Sequence, residues 1–181
     1  MTAETTDRRA PMAAAPIKYL PDGQVDWGNM WDSFCELALD GGPPHRDTLL
    51  RAPAGEDAAS PAYRQVAAEL ARGIAEVSPL RAQPAAEAGW LALRCPTPGM
   101  ARWLAEAICE ENIEARTSAD LLLVPCGATF SLKGEIKNVI TAVAKTTHYW
   151  KEHLPSEVKQ AHAVQARIDG LAAKIGGLFR R

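Results

Sequence analysis

Cys95 is the residue whose position most clearly suggests chemistry. It ends a run with the alternating pattern of a strand, Trp90 to Cys95, and precedes Thr97 and Pro98, which are typical of a helix start. A thiol just before a helix N-terminus lies near partly positive backbone amides, which lower its pKa from about 8.5 to roughly 3.5–7.5. Arg94 adds a neighbouring positive charge. The sequence therefore predicts a nucleophilic thiolate, against the alternative of a half-buried structural cysteine.

The segment around this thiol, LRCPTPGM from Leu93 to Met100, resembles the motif of the TusA family of sulfur carriers. In that family a cysteine in a C-P-x-P run follows the first strand and carries a persulfide. The resemblance covers eight of the 181 residues, together with the strand-to-helix context. It implies that Cys95 bears sulfur and that the protein acts in sulfur transfer or a related relay.

Two further groups of side chains are candidates for ligand binding. These candidate binding residues are Lys145, His148, Tyr149, Trp150, Trp27 and Trp31. The first four place a cation, an imidazole base and two aromatic rings at one level of a predicted helix. The two remaining tryptophans form, with Phe34, an aromatic stripe that could stack on a ligand. The alternatives are a solvated helix end for the first group and core packing for the second.

Metal binding would need histidines and cysteines that are distant in the sequence to meet in the fold. The sets considered are Cys95, Cys126 and His148, or His148, His153 and His162. Neither has the spacing of a zinc motif, and the four cysteines include no C-x-x-C pair. The chain also lacks a glycine-rich phosphate loop, a G-x-S-x-G elbow and an H-E-x-x-H pattern. We therefore predict no metal and no cofactor.

The elements that position these residues follow from apolar spacing and from capping residues. The predicted helices span residues 27–39, 61–77, 98–111, 131–154 and 156–181. The predicted strands span residues 90–95, with 80–83 as a partner, 113–117 and 120–125. Asp26, Ser60, Thr97 and Ser131 are the expected N-caps. Residues 17–23 are expected to form a short strand and turn, and residues 43–60 a loop.

This order of elements predicts an α+β fold with a small, mostly antiparallel sheet covered by helices on one face. Residues 1–16 lack apolar periodicity and are expected to form a flexible tail. Residues 17–155 are expected to form a single α+β domain. Residues 156–181 are expected to form an amphipathic C-terminal helix that packs on the domain or docks a partner.

The composition and charge of the chain limit the functional classes to which the protein can belong. A hydrophobic fraction of 47% and a charged fraction of 23% are typical of folded domains. The net charge of −2 argues against nucleic-acid binding through phosphate neutralisation. The chain contains no apolar run of about 18 residues and no signal-peptide core, so we expect no membrane span, a cytoplasmic location and reduced thiols.

The missing catalytic motifs and the amphipathic ends favour a non-enzymatic accessory or interaction protein, for example an assembly or maturation factor for a larger metal or redox enzyme. The expected partner is another protein, or a second copy bound through the C-terminal helix. Two alternatives stay open. One is a thiol-based sulfur carrier using Cys95, and the other is a small-ligand-binding domain whose pocket joins the two aromatic groups.

Overall fold

The centre of the fold is an antiparallel sheet. A computed structural model describes residues 17–29 and 48–178, and the side chains of residues 17–29 and 48–172. Within these residues the strands are β1 (Ala82–Pro84), β2 (Trp90–Arg94), β3 (Arg116–Ser118) and β4 (Leu121–Pro125). They are ordered β1-β2-β4-β3, and each neighbouring pair is antiparallel. The predicted antiparallel sheet is therefore confirmed.

The hairpin that joins β3 to β4 differs from the prediction by a small shift. The turn lies at Ala119 and Asp120, one residue later than expected, and Ala119 takes a positive φ of 54°. The predicted strand from residue 113 is shorter than expected because Ile113 instead forms an isolated parallel bridge with Leu50. This bridge draws the start of the segment away from the sheet, and β3 begins only at Arg116.

One face of the sheet is covered by helices. Leu91 pairs with Val124 and Leu93 with Leu122, and all four side chains are fully buried in the main core cluster. Strand residues alternate between faces, so Trp90 lies on the opposite side. There the guanidinium of Arg116 lies 4.3 Å from the centre of the Trp90 ring.

Two of the four described helices begin directly after the capping residues that the sequence predicts, Ser60 and Thr97. The four helices are α1 (Pro61–Val77), α2 (Pro98–Glu110), α3 (Lys137–Glu152) and α4 (Ser156–Leu178). Ser60 Oγ accepts a hydrogen bond from the Tyr63 amide at 3.2 Å, and Thr97 Oγ1 accepts one from the Met100 amide at 3.1 Å. In both helices a proline occupies the first turn, where its missing N–H costs nothing.

The structure describes only part of the N-terminal segment for which the sequence predicts structure. Asp26 Oδ1 accepts a hydrogen bond from the Asn29 amide at 3.0 Å, as expected of the N-cap of a helix that starts at Trp27. The expected strand at 17–23 reduces to one bridge between Tyr19 and Val25, closed by a turn. The predicted tail 1–16, the rest of the helix to 39 and the start of the loop from 43 lie outside the described residues.

The start of α3 corrects one prediction. Ser131 does not cap the helix, because its backbone N–H and its Oγ both donate to the Glu135 carboxylate, at 2.8 and 2.9 Å. A π-helical turn, Leu132–Ile136, follows, and the α-helix begins at Lys137. A Cβ at Gly134 would lie 2.5 Å from Ser131 Oγ and would displace this hydroxyl from Glu135.

Helix α3 is the central helix of the described fold. Residues 136–144 are buried without interruption, so every face of its first half is covered. Both α1 and α2 pack against it, and α2 also packs on β3 and β4. Gly73 of α1 marks a close approach, because an added Cβ would lie 2.3 Å from Ile140 Cδ1. Among the described residues, no helix has both the length and the hydropathy needed to cross a bilayer.

Candidate functional site

The C-terminal helix α4 is held against α2 by small residues. The backbone of Ala163 lies so close to Gly99 that a Cβ on Gly99 would be 2.8 Å from the Ala163 nitrogen and 2.9 Å from its Cα. Ala166 and Gly170 line the same side of α4. Small side chains on both helices therefore permit an approach that larger ones would block.

Charged groups add to this docking. Arg102 of α2 forms an ion pair with Asp169 of α4, and its Nε donates to Glu106 at 2.9 Å. The His162 Nδ1 atom of α4 lies 3.9 Å from Glu106 Oε2. Gln165 Nε2 donates to Asp169 Oδ1 at 3.0 Å and so orients the carboxylate. Size and charge together place the side of α4 that carries Asp169 towards α2.

The opposite side of α4 exposes large apolar side chains. Val164 is 55% exposed, Ile168 52% and Leu171 60%. Their spacings of four and three residues align them along one helical face. We call these three residues the α4 stripe. Its alignment distinguishes it from singly scattered surface apolar residues, which are common in soluble proteins.

An aromatic cluster lies where α2 and α3 meet. The rings of Trp103 and Tyr149 stack with centroids 6.1 Å apart and an interplanar angle of 9°, and Trp150 lies 5.6 Å from Trp103. Tyr149 is 50% exposed. The Lys159 ammonium of α4 lies 5.8 Å from the Trp150 ring and links the first turns of α4 to this cluster. Tyr149 and Trp150 are among the binding residues predicted from sequence, whereas Trp103 is not.

The two polar residues among the predicted binding residues, Lys145 and His148, lie in different environments. The Lys145 ammonium forms an ion pair with Glu111, whose side chain is only 6% exposed. Lys145 therefore compensates a buried carboxylate. His148 is exposed, and its ring lies 5.2 Å from that of His153, a neighbour that the binding prediction did not include.

Trp27, one of the predicted binding residues, lies in the core. This side chain is fully buried, and its Nε1 donates to Glu69 Oε1 of α1 at 2.8 Å. Trp27 also borders Gly73 beside Ile140. Nine residues of α3, roughly 13 Å of helix, separate that level from Tyr149. Core packing, the alternative for this tryptophan, describes its environment, whereas Trp31 lies outside the described residues.

Cys95 is buried rather than presented at the helix end. It is 2% exposed and belongs to the core cluster, and its Sγ points towards the Leu93 carbonyl at 4.0 Å. Burial raises the pKa of this thiol to about 12, and the negative charge of Asp120 adds to the effect. The expected lowering of the pKa is therefore wrong in direction, because removal from water outweighs the helix N-terminus. That Cys95 carries sulfur stays a prediction.

The other described thiols differ in exposure. Burial likewise raises the pKa of the Cys126 thiol, to about 11. Cys109 is exposed and borders a groove of about 690 Å³ between α2, β3 and α4, which Arg102, Glu106 and Arg116 also line. The groove has no signal in the sequence, because its walls come from segments that are distant along the chain.

In the part of the chain that the structure describes, no three histidine, cysteine or acidic side chains lie close enough to hold a metal ion. Of the sets considered from sequence, Cys95 and Cys126 are in the core while His148 is at the surface. His148 and His153 do approach each other, but His162 lies beside Glu106. Comparison of this chain with models of known protein families, with curated proteins and with solved structures finds no match.

Proposed function

We propose that this protein is a non-enzymatic interaction protein that binds another protein chain through the α4 stripe. The observation that carries the proposal is the exposure of Val164, Ile168 and Leu171 in one aligned row. Aligned apolar residues at helical spacing are the form in which helices dock into grooves or onto other helices.

The way in which α4 docks on α2 presents the stripe to a partner. The residues that approach α2, such as Ala163 and Asp169, lie on the side of the helix away from the stripe. Docking on α2 thus orders the helix without covering its large apolar side chains. A partner then meets a helix that is already formed, which reduces the entropy lost on binding.

The exposed side chains of the stripe would contribute measurably to the affinity for a partner. Complete burial of a valine, leucine or isoleucine side chain contributes about 1.5–3 kcal/mol, so covering the exposed half of each contributes about 1 kcal/mol. The three residues together contribute about 3 kcal/mol, which corresponds to more than a hundredfold in affinity. Neighbouring contacts would add to this.

The test is affinity capture from the native host at low salt, with one variant in the stripe and one outside it. Ile168→Glu places a charge in the middle of the stripe. Gln160→Glu adds the same charge at an exposed position one turn before it. We expect a stoichiometric partner, either another protein or a second copy, with the wild type and Gln160→Glu but not with Ile168→Glu. Equal recovery with both variants, or repeated recovery of the bare monomer with the wild type, would contradict the proposal.

A further inference from the structure

The spacing of the stripe points to a particular partner. We propose that the chain which covers the α4 stripe is a second copy of this protein, and that two α4 helices pair side by side in parallel as a two-stranded coiled coil. The inference rests on the proposed function, since it names the partner of the same surface. It is carried by the heptad positions, by the placement of the docked face and by the distribution of charge along α4.

The apolar residues of α4 follow a heptad repeat. After Val164, the steps to Ile168 and Leu171 are four and three residues, and the sequence continues with Ile175 and Leu178 at steps of four and three. The α-helix extends to Leu178, so the repeat lies entirely within α4. Alternating steps of three and four keep an apolar seam facing a partner helix.

The identities at the seam specify the kind of coiled coil. In heptad notation, isoleucine occupies the a positions 168 and 175, preceded by Ala161, and leucine occupies the d positions 171 and 178, preceded by Val164. Isoleucine at a with leucine at d favours parallel two-stranded pairing. In such a pair each layer consists of the same residue from both chains, so the surface of α4 is complementary to itself.

The domain leaves the described part of this seam, Val164, Ile168 and Leu171, exposed. Ala163, Ala166 and Asp169, which approach or line the α2 side, occupy the c, f and b positions. At 3.6 residues per turn these positions centre about 180° around the helix from the seam. Two copies can therefore pair through the seam while each α4 stays docked on its own domain.

Charges beside the seam distinguish the two orientations. Arg167 and Lys174 occupy consecutive g positions, whereas the e positions 165 and 172 carry glutamine and alanine. A parallel pair brings each g residue towards an uncharged e residue of the partner. An antiparallel pair would bring g positions towards each other and place these cations together. Like charges thus disfavour the antiparallel alternative.

The length of α4 sets the expected affinity. Its 23 residues extend roughly 34 Å, and only one face takes part. A single pair of such helices lies at the lower end of interface sizes, below the roughly 800 Å² per partner of typical stable complexes. The dimer is therefore weak and dependent on concentration, and its assay must extend to high protein concentration.

The first test is sedimentation equilibrium of the full chain from roughly 1 µM to 1 mM. We expect a monomer–dimer equilibrium for the wild type and for Gln160→Glu, and at least about a tenfold higher dissociation constant for Ile168→Glu. Circular dichroism and a thermal melt of each variant verify that it is folded. A wild-type protein that stays monomeric throughout, or forms trimers, overturns the inference.

The second test determines orientation by disulfide trapping. In a background with Cys35→Ser and Cys109→Ser, Val164→Cys and Leu171→Cys are oxidised separately. A parallel pair cross-links efficiently at both positions, since each meets its own copy. An antiparallel pair can do so at one position at most, and that result overturns the parallel arrangement.

The experiments can refute self-association without refuting the proposed function. A monomeric wild type whose capture of a different protein is lost in Ile168→Glu overturns self-association but supports the proposed function. A monomeric wild type with no capture that depends on the stripe contradicts both.

Discussion

Replacing Gly99 by alanine should loosen α4 from the domain. The new Cβ would lie 2.8 Å from the Ala163 nitrogen, 2.9 Å from its Cα and 3.1 Å from the His162 carbonyl carbon. All three are backbone atoms, so no side-chain rotation can relieve the overlap and the helices must separate. Overpacking of this kind costs about 1–3 kcal/mol. Alanine's higher helix propensity offsets up to about 1 kcal/mol.

The net loss of about 1–2 kcal/mol should raise the opening equilibrium of α4 roughly 5- to 30-fold. Native-state hydrogen exchange measures this directly, because amides of α4 should exchange faster while those of β2 and β4 keep their protection. Gly170→Ala is the matched control, since a Cβ there meets nothing within 4 Å. It should slow exchange in α4 by removing a helix-weakening glycine. Unchanged α4 exchange in Gly99→Ala would refute the close-packing argument.

Three further predictions concern the thiols and the buried ion pair. In the folded protein at pH 8, iodoacetamide should modify Cys109 rapidly and Cys95 slowly, because Cys95 is buried and its pKa is about 12. Peptide mass spectrometry measures the two alkylation rates, and equal rates would contradict the burial of Cys95. The midpoint of urea unfolding should fall as pH rises from about 9 towards 12, because the buried Cys95 thiol keeps its proton in the folded protein but loses it near pH 9 when unfolded. Cys95→Ala should reduce this dependence, leaving the part that comes from the raised pKa of Cys126, and an unaltered slope would argue against it. Lys145→Met should lower the free energy of unfolding by about 2 kcal/mol, because it removes the cation beside buried Glu111. Adding Glu111→Gln should restore part of the lost stability. Urea titration of the single and double variants tests this, and purely additive losses of stability would contradict the pairing of Lys145 with Glu111.

Much of the secondary structure could be predicted because its signals are local. Ser60 and Thr97 cap helices within three residues of themselves, and α1 and α2 begin at the predicted prolines. The π-helical turn before α3 was missed although its contact is also local, since Ser131 fits a helix cap equally well by residue type. Whether Ser131 caps the helix depends on Glu135, whose carboxylate accepts hydrogen bonds from both the backbone N–H and the Oγ of Ser131.

The candidate site was harder to predict because it depends on distant contacts. A strand end and a helix start predicted a nucleophilic Cys95 thiolate, but β2 pairs with β4 and Cys95 lies in the core. Apolar spacing predicted the α4 stripe without indicating which side would be buried. The approach of Ala163 to Gly99 decides that, and the small size of both residues is visible only as a pair in space.

The edges of the sheet limit how copies of this chain can assemble. Both edge strands, β1 and β3, are only three residues long. Pro84 in β1 offers no amide hydrogen, and Arg116 in β3 brings a charge that would have to be desolvated. Open-ended growth by strand addition is thereby discouraged on both sides. Copies paired through α4 would therefore not extend into fibres by adding strands at these edges.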